Sequence, residues 1–374
     1  MTVSQDTAPI DQVRRADENP GAATFGANPE THKLDSYPAL DWLRFTLASV
    51  VALGHEGVKF PGPISAELAV DVFLALSGWL IGGILIATTT RGLPRFFFNR
   101  ATRIWIPYAV AILLVYGLAA VKEGIDVNWL KYFFYDVTFT HYNFTIFPRA
   151  SMEMPLGGTG NHFWSLSIEE QFYLLAPIVM LALPFGKKLW LWLVLGILMM
   201  LAGMRAAPIA LGVAAAITQR DYGLWQMHRA ARWLLPLVTL VLLGAMWVHN
   251  VRWLHALFAI STVLTLAFVG KRARIGLLFG AISYPLYLNH WIGAFVMHAV
   301  EKVIGHLPHA LGVSLAYACA VVVGFVSWAA VDRWVMAHRG GWYTPARGRA
   351  LGGMAYCLVA IGIIGGLIIR ADGG

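Results

Sequence analysis

Long apolar stretches follow one another almost without pause from Leu40 to Ile369, separated by short connections rich in Lys and Arg. In hydrocarbon every backbone N–H and C=O must be paired within the protein, so such stretches fold as helices. The composition agrees: 58% of residues are hydrophobic and only 13% are charged, too few charges to clothe a soluble domain of this length. The expected fold class is therefore an all-α polytopic membrane protein with about ten or eleven transmembrane helices. The spacing predicts helices over roughly 39–59, 66–88, 104–121, 163–184, 189–203, 206–218, 233–248, 253–269, 275–300, 310–331 and 350–369. Arg205 and Pro208 interrupt the pair over 189–218, which reads either as two thin spans or as one hairpin.

Three regions follow from the pattern. Residues 1–36 are polar, with charges of both signs and several Gly and Pro, and are expected to be a disordered tail without the apolar core of a signal peptide. Residues 37–335 form the main membrane domain, and 336–374 a basic loop with a final transmembrane helix. Placing the N-terminus in the cytoplasm puts most basic residues on that side, by more than two to one over the outer face. The implied location is a plasma membrane. The net charge of +8 is scattered among these connections, which suits anionic lipid headgroups and argues against nucleic acid. Cys319 and Cys357 lie in apolar segments without metal-ligand spacing, so neither a disulfide framework nor a metal site is expected.

Within this frame several polar residues stand out. Arg44 and His55 are eleven residues apart in the first apolar stretch. Eleven residues turn a helix by about three turns and roughly 20°, so the two share a face about 16 Å apart along the axis. Ionisable groups inside a membrane helix are costly and mark a site or a pathway. His55, Asp71, Glu169 with its neighbour Glu170, and His290 all fall in the outer half of the membrane on this topology. Each alone also suits an interhelical hydrogen bond, but together they suggest acid–base chemistry. On the opposite side, residues 91–107 carry Arg91, Arg95, Arg100 and Arg103, the last two on one helical face. Such a cluster suits simple positive-inside anchoring, or bidentate capture of phosphate oxygens from the cytoplasm. No phosphate-binding loop and no dinucleotide fingerprint is present. The 122–162 connection, rich in aromatics, reads as a substrate mouth or an interfacial lid.

Five segments, in this order, resemble the acyltransferase-3 family of integral membrane O-acyltransferases: LDWLRFTLASVVALGH (40–55), AVDVFLALSGWLI (69–81), FFFNRATRIWIP (96–107), FWSLSIEEQFYLLAP (163–177) and SYPLYLNHWIG (283–293). Trp42 and Asn289 depart from residues common in the family. The resemblance implies transfer of an acyl group, commonly acetyl, from cytoplasmic acyl-CoA as cosubstrate to a hydroxyl of an extracytoplasmic glycan or glycolipid, with no tightly bound cofactor. It selects Glu169 over Glu170. The roles it implies are His55 as catalytic base or transient acyl carrier, and Arg44 as guide for the CoA or acyl carbonyl. Arg100 and Arg103, with Arg95, would bind CoA phosphates, and Glu169 would orient an imidazole or the acceptor. Asp71 and His290 are further catalytic candidates. The competing reading is a secondary transporter or glycan exporter without acyl transfer, although the two halves show no clear repeat.

Overall fold

The computed structural model describes residues 37–145 and 152–372. Residues 1–36, with Arg14, Arg15 and Lys33, and the 146–151 stretch with Arg149 lie outside the described residues. Among the described residues the chain is helical throughout, without strands. The elements are α1 (Pro38–His55), α2 (Ala66–Ala87), α3 (Leu93–Lys122), α4 (Val127–Val137), α5 (His141–Thr145), α6 (Trp164–Ala182), α7 (Leu189–Leu201) and α8 (Ala207–Tyr222). They continue with α9 (Arg229–Val248), α10 (Arg252–Leu266), α11 (Arg274–Asn289), α12 (Trp291–Ile304), α13 (His309–Ser327), α14 (Arg333–Trp342) and α15 (Pro345–Asp372).

Every sequence-derived span overlaps helix, and among the described residues six helical runs are long and apolar enough to cross a membrane: α2, α3, α6, α9, α13 with α14, and α15. Helices α1, α7, α8, α10 and α11 are shorter or less apolar and pack among them. The uncertain 189–218 stretch is two separate helices packed on each other.

Four boundaries differ from expectation, each for a local reason. The third helix begins at Leu93 and not near 104, taking in the arginine segment, because Pro94 stands in the first turn, where its missing N–H costs nothing. The 275–300 span is broken at His290, between α11 and α12. A π-turn over Trp328–Asp332 joins α13 to α14, so this rod reaches Trp342. The basic stretch after residue 335 is accordingly helical apart from Tyr343 and Thr344.

The bundle is centred on α2 and α8, whose residues are mostly buried. Gly78 and Gly212 let these backbones meet, since a Cβ at either would collide with the carbonyl of Ile209 or of Ala75. Small residues at a crossing are how membrane helices gain close packing without a hydrophobic driving force. Helix α1 lies against α2 and α11, with Gly280 seated on Asp41. Lys187, in the turn before α7, caps α2 by donating to the carbonyls of Ile86 (2.9 Å) and Thr88 (3.2 Å). Burial, and then the Arg220 charge, lower its pKa. Helix α9 buries only Met246 and turns Trp233, Leu237 and Val241 outward, as a lipid-facing helix does.

The 122–162 connection is ordered by buried polar contacts as far as it is described. Asp136 accepts hydrogen bonds from Tyr116 and pairs with His141 Nδ1 at 2.6 Å, and His141 Nε2 meets Asn161 Oδ1 at 3.1 Å. Both Asp136 and His141 are fully buried, so this network fixes the connection to α3 and to the turn that precedes α6.

Candidate active site

Three imidazoles from three separate parts of the chain meet at one end of the bundle. His55 closes α1, His290 occupies the break between α11 and α12, and His162 sits in a single 3-10 turn, Asn161–Phe163, ahead of α6. Ring centroids are 4.9 Å apart for His55 and His290, 4.7 Å for His162 and His290, and 6.1 Å for His55 and His162. His162 and His290 are buried (5% and 2% exposed), whereas His55 is exposed at the mouth.

The backbone sets their tautomers. A carbonyl only accepts, so His55 Nδ1, 3.0 Å from Val51 O, and His290 Nδ1, 2.8 Å from Tyr287 O, each carry the hydrogen. That leaves both Nε2 lone pairs as proton acceptors or nucleophiles. His162 is held from two sides: its Nε2 faces Leu288 O at 3.3 Å, and its own carbonyl accepts from Tyr287 Oη at 2.6 Å. Tyr287 in turn receives a hydrogen bond from Ser165 Oγ at 2.6 Å.

The other polar candidates lie elsewhere. Asp71 does not join the imidazoles; its Oδ2 pairs with His255 Nδ1 at 3.1 Å, and His255 Nε2 meets Asn250 Oδ1 at 2.6 Å. Packing of α2 on α10 turns that face of α2 away from the cluster. Glu169 is likewise not beside His55. It stands seven residues after His162, about 10 Å deeper into the bundle at ~1.5 Å per residue. There Tyr173 Oη donates to Glu169 Oε2 (2.9 Å), and Ser77 Oγ meets the same phenol at 2.6 Å. Its charged neighbours are Arg100 and Arg44. Glu170 points differently, accepting from Trp105 Nε1 at 3.0 Å.

Beyond Glu169 the cationic side chains gather. Arg100 lies over the Tyr173 ring, 5.4 Å from its centroid, and Arg44 has Arg103, Asp41, Arg272 and Arg100 as its charged surroundings. Arg103 also faces Asp332 at the end of the π-turn. Arg95 is not part of this group; its guanidinium stacks on Tyr343 at 4.7 Å. The site is thus elongated, with imidazoles at one end of α1, arginines at the other, and the Glu169–Tyr173–Ser77 chain between them. Among the described residues no group of three or more His, Cys, Asp and Glu side chains is arranged to hold a metal ion.

His162 and Arg272 are among the members that sequence reasoning passed over, with Ser77, Tyr173 and Asp41. His162 stands immediately before the FWSLSIEEQFY segment, which was the available signal. Arg272 had none, being one of three basic residues in a connection.

A family model described as an acyltransferase domain matches residues 37–333. Among curated proteins, a peptidoglycan O-acetyltransferase of Listeria monocytogenes is 29% identical over 175 residues, covering 43% of this chain and 27% of that protein. An O-acetyltransferase of Staphylococcus aureus is 30% identical over 154 residues, 38% of this chain and 24% of the relative. The matched stretches therefore span about a quarter of the length of these relatives. No solved structure matches the chain.

Proposed function

Because this chain belongs to the acyltransferase-3 family, we propose that it is a membrane O-acetyltransferase, taking an acetyl group from cytoplasmic acetyl-CoA and delivering it to a hydroxyl of an extracytoplasmic glycan such as peptidoglycan or a glycolipid. The observation that carries this reading is the polarity of α1, with Arg44 among arginines at one end and His55 among imidazoles at the other. The basic connections support a cytoplasmic N-terminus in a bacterial plasma membrane.

In this mechanism Arg44, Arg100 and Arg103 hold the phosphates of the donor, and the pantetheine arm runs along α1 toward His55. Glu169, fixed by Tyr173, keeps Arg100 aligned with that path. At the far end His55 Nε2 removes the proton from the acceptor hydroxyl as its oxygen attacks the thioester carbonyl. The C–S bond breaks, CoA leaves as thiolate, and the proton held by His55 passes to it. The nearby His290 and His162 rings keep His55 in place and exclude bulk water from one side of it.

The test uses purified protein in proteoliposomes, with labelled acetyl-CoA on one side and peptidoglycan fragments on the other. Acetylated glycan from the wild type, and a loss of at least about 100-fold in the His55→Ala variant, are expected for removal of a general base. Transport of glycan without acetylation supports the exporter reading instead.

A further inference from the structure

The arginine cluster contains its own counter-anion, and the side chain that binds it most closely comes from outside every recognised motif. Asp41 is 4% exposed and lies in α1 three residues before Arg44. Arg272 Nε approaches Asp41 Oδ2 at 3.1 Å, from the non-helical connection between α10 and α11, while Arg44 Nη1 stands 3.7 Å from Oδ1. The Arg44 contact is longer than a hydrogen bond, and Asp41 Oδ2 makes no hydrogen bond at all. A buried carboxylate with ion pairs but incomplete hydrogen bonding is poorly satisfied.

Geometry limits which partner can give way. Gly280 of α11 is seated on the Cβ and Oδ1 of Asp41, so the carboxylate is fixed between two helices. Arg272 sits on a non-helical connection, whereas Asp41 and Arg44 are held on a packed helix. A phosphate offers several oxygens to a guanidinium fork, where Asp41 engages through one edge.

We propose that Arg272 is a phosphate-binding residue of the donor site, and that Asp41 is the internal counter-anion which holds the arginines together until a donor phosphate replaces it. This rests on the reading of the cluster as an acyl-CoA site. The same chemistry would accept an anionic lipid headgroup, and the experiment separates the two.

CoA binding is measured by calorimetry on the full chain in nanodiscs, once with phosphatidylcholine alone and once with added phosphatidylglycerol. In neutral lipid, Arg272→Gln is expected to weaken binding by about tenfold, the scale of one charge-assisted hydrogen bond, with partial recovery in Arg272→Lys. Asp41→Asn is expected to bind CoA several-fold more tightly and with a steeper salt dependence. Unchanged affinity in Arg272→Gln overturns the proposal, and that variant suffices if Asp41→Asn fails to fold. A defect seen only with phosphatidylglycerol assigns the cluster to headgroups and also overturns it. A wild type that binds no CoA refutes the donor reading itself, whereas wild-type binding with both variants unchanged refutes only the roles of Arg272 and Asp41.

Discussion

Replacing Tyr287 with phenylalanine removes one oxygen and two hydrogen bonds. That oxygen donates to the His162 carbonyl and accepts from Ser165 Oγ, each at 2.6 Å, in a site where all three residues are buried. Interhelical hydrogen bonds in membrane bundles contribute roughly 0.6 kcal/mol on average and about 1.7 at most. Leaving a buried hydroxyl or carbonyl without its partner adds on the order of 1 kcal/mol. The Tyr287→Phe variant should therefore lose about 2 kcal/mol, because the ring keeps its packing and only polar contacts go. Catalysis should fall in a particular way. His162 would lose the tie through its own carbonyl and keep the 3.3 Å contact of Nε2 with Leu288 O, so kcat should drop several-fold, while KM for acetyl-CoA stays near the wild-type value because the arginine cluster is untouched. Thermal unfolding in detergent and steady-state acetyl transfer read the two effects. Unchanged melting and unchanged kcat together would show that the clamp does not position His162.

Other substitutions separate the parts of the site. Asp71→Asn should lower thermal stability, since Asp71 serves His255, yet leave kcat within about twofold of wild type in the same transfer assay, a change worth only a few tenths of a kcal/mol. Arg95→Ala should leave CoA affinity near wild type, because its guanidinium is spent on Tyr343 (4.7 Å); a tenfold loss in calorimetry would return it to the donor site. Gly78→Val should prevent correct folding, because its side chain would collide with the Ile209 backbone; a monodisperse peak of normal yield on gel filtration would contradict that.

The helices were legible in the sequence because a membrane demands long apolar runs, and such runs survive without knowledge of partners. Arg44 and His55 were legible for the same reason, since two residues on one helix have a relation fixed by helical pitch. The relations that failed cross between helices. Asp71 and His255 are 184 residues apart, and nothing in either segment states that α2 packs on α10. Glu169 falls on the expected helix, but its neighbours Tyr173, Arg100 and Arg44 follow from its depth in the bundle and from the packing of other helices, which its own segment does not state. His162 stayed hidden because it lies in one 3-10 turn, too short to carry a periodicity. The start of α3 was expected near residue 104 because the charges and Pro94 before it lack an apolar run, although the helix carries them as its opening turns.

Helix α15 has a consequence for where this molecule can be divided. It begins after the matched region ends at residue 333, yet it runs beside the arginine helix for most of its length. Gly348 and Gly352 seat it against the Pro94 carbonyl and the Phe97 ring, and Tyr356 Oη donates to the Leu174 carbonyl at 2.7 Å. Farther along, Gly362 abuts Thr138 of the aromatic connection. The edge of homology is thus not the edge of cooperativity: a strap outside the shared domain braces α3, α6 and the aromatic connection at once. The matched domain and its brace are separable in the sequence but not in the fold.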